Sequence, residues 1–388
     1  MKKNTTQQLL LLSLTVLITV GITTSSAFAQ SASSSNSSPP EIKFSDQSFE
    51  TLGLPYGDGN IFAGVGTGLI KEFKPDGTFV QTLDTTSGAS EQTGMCFDGS
   101  GNLRSTNFAT NTMTLFDNSG TIITHPWAGP FNAHPESCVV DAAGNIYVGQ
   151  ADGTGAILKF APDGTLLDTF DVPVPDRGSD WIDLSADQCT MLYAGEGDEI
   201  FRYDVCTDAP LLSLTSGLTG GPCYALRIRD NGQVLVACTS QAHLINADGT
   251  VAQTYLNSNF APAPSLLFAL NLDSDGTSFW TADIFSGQIY HMDIATGAQL
   301  FTFNAAAPVD VAGLAIFGEP TAAVCPPGTH GTPPNCIPDG KVGGEFLSID
   351  ATALLVAGAQ TNAVWILSVL AVIGSVAFGT LYLKTKRD

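Results

Sequence analysis

The sequence predicts an all-β fold: a six-bladed β-propeller of four-stranded blades closed by a C-terminal strand, preceded by a signal peptide and followed by one transmembrane helix. Three observations carry this. An apolar strand ending at a turn recurs at Asp98, Asp141, Ser185, Arg229, Asp273 and Phe317, in steps of 43, 44, 44, 44 and 44 residues. Asp-Gly and Gly-Asn corners recur between short apolar runs, and the runs come in fours. Four-stranded units of about 40–45 residues are the signature of propeller blades. Helical solenoids share the period but need long amphipathic helices, for which the repeat region shows no pattern.

The third unit shows the logic of a blade. Ser137-Cys138-Val139-Val140-Asp141 turns through Ala142-Ala143-Gly144-Asn145 into Ile146-Tyr147-Val148-Gly149. Ala156-Ile157-Leu158-Lys159-Phe160 then turns at Pro162-Asp163-Gly164 into Leu166-Leu167-Asp168-Thr169-Phe170. Such corners supply the positive φ angles that tight hairpins demand. The second hairpin recurs at Pro75-Asp76-Gly77, Asn118-Ser119-Gly120, Ala247-Asp248-Gly249 and Ala295-Thr296-Gly297. The fourth unit departs from it with Cys206-Thr207-Asp208-Ala209, where a disulfide would replace the missing glycine.

The first blade, over 61–83, has no leading strand of its own, whereas 311–317 is a leading strand with no blade after it. Pairing the two closes the ring. The alternative gives residues 49–54 that role and leaves 311–317 as an extra strand.

The domain organisation follows from composition. Residues 1–29 read as a signal peptide: Lys2 and Lys3, a short apolar run over 9–22, and Ala27-Phe28-Ala29 before the cut. Residues 30–44 are a Ser-rich flexible leader containing the sequon Asn36-Ser37-Ser38. The propeller spans 45–320, and 321–361 is a Pro/Gly-rich stalk with a Cys pair. A transmembrane helix occupies 362–383; its last 21 residues carry no charge, enough to cross about 30 Å of hydrocarbon. Lys384, Lys386 and Arg387 in the tail, 384–388, belong in the cytoplasm. The expected location is the cell membrane, single-pass, with the bulk of the chain extracellular.

Between signal and tail there are ten basic and 36 acidic residues, a net charge of −26. That field repels phosphate backbones, so nucleic acid is excluded as a partner, and it favours cations and cationic partners. Eight cysteines in an exported chain point to disulfides. The repeat places Cys189 opposite Cys206 and Cys223 opposite Cys238 on antiparallel neighbours. Cys325 and Cys336 would close a loop in the stalk. Cys96 and Cys138, on leading strands of successive units, form a fourth candidate pair. Zinc is the alternative, but no CxxC occurs and His is scarce.

The blades, above all 135–153 (PESCVVDAAGNIYVGQADG) with its KFAPDG continuation, resemble NHL repeats and six-bladed propellers of the SMP-30/gluconolactonase-like and virginiamycin-lyase-like groups. The resemblance covers about residues 55–318. A monomeric propeller is expected, and the resemblance to the lactonase-like enzymes implies a metal held by acidic and amide side chains at one channel mouth. Their Glu-Gly-Pro lead into the first blade is absent here, where Asp310-Val311-Ala312-Gly313 stands, so no catalytic residue carries over. From Val342-Gly343-Gly344-Glu345 through the span and basic tail, the C-terminus resembles the anchors of archaeal cell-surface proteins.

Leading-strand starts ring one mouth of a propeller channel. Glu91, His134, Glu136, Asp180 and Asp310 fall near that mouth, a set that would hold a divalent cation such as calcium. The alternative is a set of solvated loop residues. Trp181 and Tyr224, at strand starts, are candidates to stack a sugar or ring, or else core. His125, Trp127 and Phe131, between the second and third blades, offer a ligand face or blade packing. No GxSxG, HExxH or phosphate loop occurs. Two functions are expected from this: a membrane-anchored module binding a small ligand, glycan or protein, or a metal-dependent extracellular lactone hydrolase or lyase.

Overall fold

The computed structural model describes residues 55–320 except 130, 175 and 306–309, together with two short strands at 329–330 and 337–338. The signal, leader, span and tail, and the Cys325–Cys336 pair, lie outside the described residues, among which no helix is long and apolar enough to cross a membrane.

Twenty-four strands form six four-stranded antiparallel sheets. Blade 1 orders as β24(Val311–Ile316)-β1(Ile61–Val65)-β2(Leu69–Phe73)-β3(Phe79–Asp84). Blades 2 to 6 each run in sequence order, with innermost strands β4(Met95–Phe97), β8(Pro135–Val140), β12(Trp181–Leu184), β16(Cys223–Ile228) and β20(Leu267–Leu272). Each marker residue of the 44-residue period directly follows an innermost strand. Closure is the one expected from the orphan strand, because β24 pairs antiparallel with β1, Ile61 opposite Ile316.

The corners explain why these residues turn where they do. Asp141 Oδ1 accepts the N–H groups of Ala143 and Asn145 (2.9 and 2.8 Å), and Gly144 takes φ 85°. Where blade 4 lacks the glycine of the second hairpin, Asp208 supplies the positive φ (54°) beside the Cys189–Cys206 disulfide. Cys223–Cys238 joins β16 to β17(Val234–Cys238), and Cys96–Cys138 ties the innermost strands of blades 2 and 3.

Aromatic and aliphatic side chains fill the spaces between blades. Tyr56, Phe62, Phe97 and Phe317 meet edge to face between blades 1 and 2. Trp127 and Phe131 pack on Phe160 between blades 2 and 3, with Arg104 over the indole, and His125 bonds Thr114 (2.7 Å). Blade packing is therefore the role the structure gives Trp127 and Phe131.

Towards the axis the innermost strands approach closely. A Cβ on Gly94 would lie 2.5 Å from Ser137 Cα, and one on Gly313 would lie 2.1 Å from the Thr93 carbonyl oxygen. Where the chain leaves β24, Glu319 spans the far mouth. Its carboxylate accepts from Arg227 (3.2 Å), the Leu272 N–H (2.6 Å) and Asn271 (2.8 Å), clamping blades 5 and 6 to the closing strand.

Candidate functional site

At the near mouth the ladder of four of the six innermost strands skips one residue at the same repeat position. Pro135 pairs with Gln150 and Ser137 with Gly149, leaving Glu136 out of register. Tyr224 is skipped between Cys223 and Ala225, Phe268 between Leu267 and Ala269, and Ala312 between Val311 and Gly313. Asp180 stands immediately before the first paired residue of β12, Trp181. Applying the period, Thr93, Glu136, Asp180, Tyr224, Phe268 and Ala312 occupy equivalent places around the axis. A β-bulge bends its strand and re-aims the unpaired side chain, and bulges concentrate beside functional sites. Six successive blades thus present threonine, two carboxylates, two aromatic rings and a methyl.

Glu136 and Asp180 are each 2% exposed. Neither Glu136 Oε2 nor either carboxylate oxygen of Asp180 has a hydrogen-bond partner, and no bond joins the two carboxyls. Leaving a buried acceptor unsatisfied costs about 1–3 kcal/mol, more for a charged group. Burial pushes both acids well above the usual carboxylate range; Glu136 adds to the rise at Asp180, and Arg177 draws both back. Next around the ring, Tyr224 and Phe268 are half-buried and pack against one another, centroids 5.1 Å apart.

A charged rim surrounds the pair. Arg177, in the connection leading to β12, binds Asp152 (2.8 Å) and Glu196 (2.5 Å). His134 Nδ1 meets Asp152 at 2.6 Å, its ring stacks on Phe108 at 4.3 Å, and its backbone takes φ 29° with its N–H bonded to Asn111 Oδ1. The Arg177 bond, then that of His134, holds Asp152 down to about 2.

The structure therefore brings Glu136, Asp180 and Tyr224 together and sets His134 on the rim. Glu91 is half-buried beside Phe108, whose N–H its carbonyl accepts, and Asp310 is exposed, its carbonyl accepting from Gly66. Trp181 lies one residue past the ring, 1% exposed within the core, with Arg227 stacked over its indole. A one-residue offset in a strand turns a side chain to the opposite face, which leaves this indole no surface for a ligand. Phe268, Arg177, Asp152 and Glu196 were not anticipated. Adding 44 to Tyr224 finds Phe268; the other three sit in connections outside the period.

Among the described residues, three potential metal-ligating atoms gather within 4.8 Å in two other places: Cys189, Asp204 and Cys206, and Asp273, Asp275 and His291. The first is the disulfide beside a turn-capping aspartate. In the second, Ser278 Oγ (2.7 Å) and Asp273 (2.9 Å) both meet Nε2 of His291, while Trp280 stacks on the imidazole and donates to Asp273. A proton relay needs its base and its orienting acid on different ring nitrogens. Shared Nε2 makes this a brace for blade 6.

No family model matches the sequence, and no curated protein does. Among solved structures, a chain of a nidogen/laminin complex is similar at 15% identity and TM-score 0.54, over 67% of this chain and 99% of that one. A protein of unknown function from Bacteroides caccae is similar at 13% identity and TM-score 0.54, over 68% of this chain and 100% of that one. A streptogramin B lyase aligns at 16% identity and TM-score 0.42, over 56% of this chain and 70% of its own. At such identities the likeness of the first two shows the propeller fold alone.

Proposed function

We propose that the protein is a cell-surface binding module: a propeller exported by its signal, held by its C-terminal span, and presenting the acidic, aromatic channel mouth to a small molecule, glycan or protein. The observation that carries this is the ring of equivalent positions at the mouth, in which Glu136 and Asp180 adjoin the out-of-register Tyr224 and Phe268. Aromatic faces beside carboxylates suit a ligand that is apolar on one side and a donor on the other. The resemblance of the C-terminus to archaeal surface anchors supports the location. A similar propeller in a nidogen/laminin complex supports a protein among the ligands.

A metal-dependent lactone hydrolase or lyase is the second reading, favoured by the unpartnered oxygens of Glu136 and Asp180 and by the NHL and SMP-30-like blade sequences. Two carboxylates fall short of the six to eight oxygens calcium takes, and among the described residues no third acid, imidazole or thiol joins them within 4.8 Å.

Metal analysis and lactone turnover on the purified full-length chain separate the readings. The binding reading expects no retained divalent ion and no turnover. One tightly held ion per chain, released by Glu136→Ala or Asp180→Ala with loss of turnover, replaces it with the enzyme.

A further inference from the structure

Three buried carboxyl oxygens at neighbouring ring positions have no hydrogen-bond partner: Oε2 of Glu136 and Oδ1 and Oδ2 of Asp180. Buried polar atoms are almost always satisfied, so three in one place define what is missing. The group that completes them is small, because Glu136 and Asp180 are each only 2% exposed, and it donates in several directions from one centre.

Its charge follows from the surroundings. The groups acting on the pair are Arg177, Glu196, Asp152 and Glu91. Arg177 is the one cation among them, and it is already divided between Asp152 and Glu196. The balance is negative, as it is over the whole chain. Beyond Asp180 the ring continues with the paired rings of Tyr224 and Phe268, a surface for an alkyl stem or the flank of a cation.

We infer that the mouth takes a primary ammonium group on a slim apolar stem, its three N–H donors meeting these three oxygens and its stem lying against Tyr224 and Phe268. This rests on the binding reading and narrows it to a ligand class. An ammonium carries three rotatable donors on a compact charge, whereas a guanidinium is a planar fork suited to one carboxylate edge. A quaternary ammonium has no N–H to give. A lysine side chain of a partner protein and a free aliphatic amine share the chemistry.

Seating a cation also changes the protonation of the pair. Burial favours the neutral acids, and an ammonium favours the carboxylates. Binding therefore releases protons and strengthens as pH rises, until the amine itself deprotonates near about 10.

Calorimetric titration of the full-length chain tests this with pentylammonium as probe, in two buffers of different ionisation heat. Pentylammonium is expected to bind with proton release, about tenfold or more tighter than 1-pentanol or pentyltrimethylammonium. The Glu136→Gln/Asp180→Asn variant is expected to lose about tenfold or more while unfolding cooperatively. Nα-acetyl-lysine methylamide binding more tightly than pentylammonium, and losing this on Nε-acetylation, identifies a protein lysine; the reverse order identifies a free amine. Equal affinity for 1-pentanol, indifference to the double substitution, or displacement of the amine by one Ca²⁺ per chain overturns the inference. If a glycan or peptide binds in a manner lost with Tyr224→Ala while pentylammonium does not bind, the ammonium assignment falls and the binding reading stands. If no ring substitution alters binding of any ligand, both fall.

Discussion

Glu136 and Asp180 stand one 44-residue step apart on the innermost strands of adjacent blades, both buried and with no hydrogen bond between them. Their raised pKa values make a statement about stability. A carboxyl whose folded pKa lies above its unfolded value contributes stability that is fully present below about pH 4 and lost as pH rises through the folded value. Glu136→Gln/Asp180→Asn removes that loss. Thermal unfolding at pH 4 and pH 8 should show the variant gaining roughly 2 kcal/mol on the parent at the higher pH. Parallel melting profiles at the two pH values would remove the case for a strained acid pair.

Trp181 and Tyr224 separate core from mouth. Trp181→Ala should cost about 3–5 kcal/mol, because a buried indole leaves a cavity. Tyr224→Ala, at a half-buried position, should cost about 1 kcal/mol and weaken ligand binding instead. Melting temperature and affinity measured on both variants check the division; an indole truncation that spares stability but abolishes binding contradicts it.

The disulfides should rank by the loop they close. Cys96–Cys138 closes 42 residues and crosses between blades, whereas Cys189–Cys206 closes 17 within one blade. Chain entropy gives about 4 kcal/mol for the first and about 3 for the second. Paired Cys→Ala substitutions followed by denaturant unfolding give the order, and a larger loss at 189 and 206 would reverse it.

Glu319 should matter more than its place after the last blade strand implies. Its removal takes from the nearly buried Arg227 the carboxylate it is paired with. Glu319→Ala is expected to destabilise by about 3 kcal/mol. Hydrogen exchange should then rise in β24 and β1, where the ring closes; unchanged protection there argues against a clamp.

The period made most of the fold legible. Once the step is known, the end of every innermost strand, the closing strand and the opposed cysteines follow by counting, because blades are copies packed about one axis. The bulges escaped. They insert one residue without any composition signal, so the strand pattern does not show that Glu136, Tyr224 and Ala312 leave the ladder. Phe268 carries no sequence signal beyond that of an apolar strand residue. Arg177, Asp152 and Glu196 come from connections of unequal length, where the period gives no register. The Glu319–Arg227 contact joins residues 92 apart and only the closed ring brings it into being.

Location of the ligand on one mouth is the central claim, and a binding screen run on paired variants measures it. Surface glycans, lysine-bearing peptides and amines are presented to the full-length chain, to Tyr224→Ala/Phe268→Ala at the near mouth, and to Asp183→Asn at the far mouth, where Asp183 on β12 lines the opening with Arg227 and Glu319. The account predicts ligands that the near-mouth variant loses by about tenfold or more and the far-mouth variant keeps. Ligands retained by the first and lost by the second would place the site at the opposite end of the channel and contradict it.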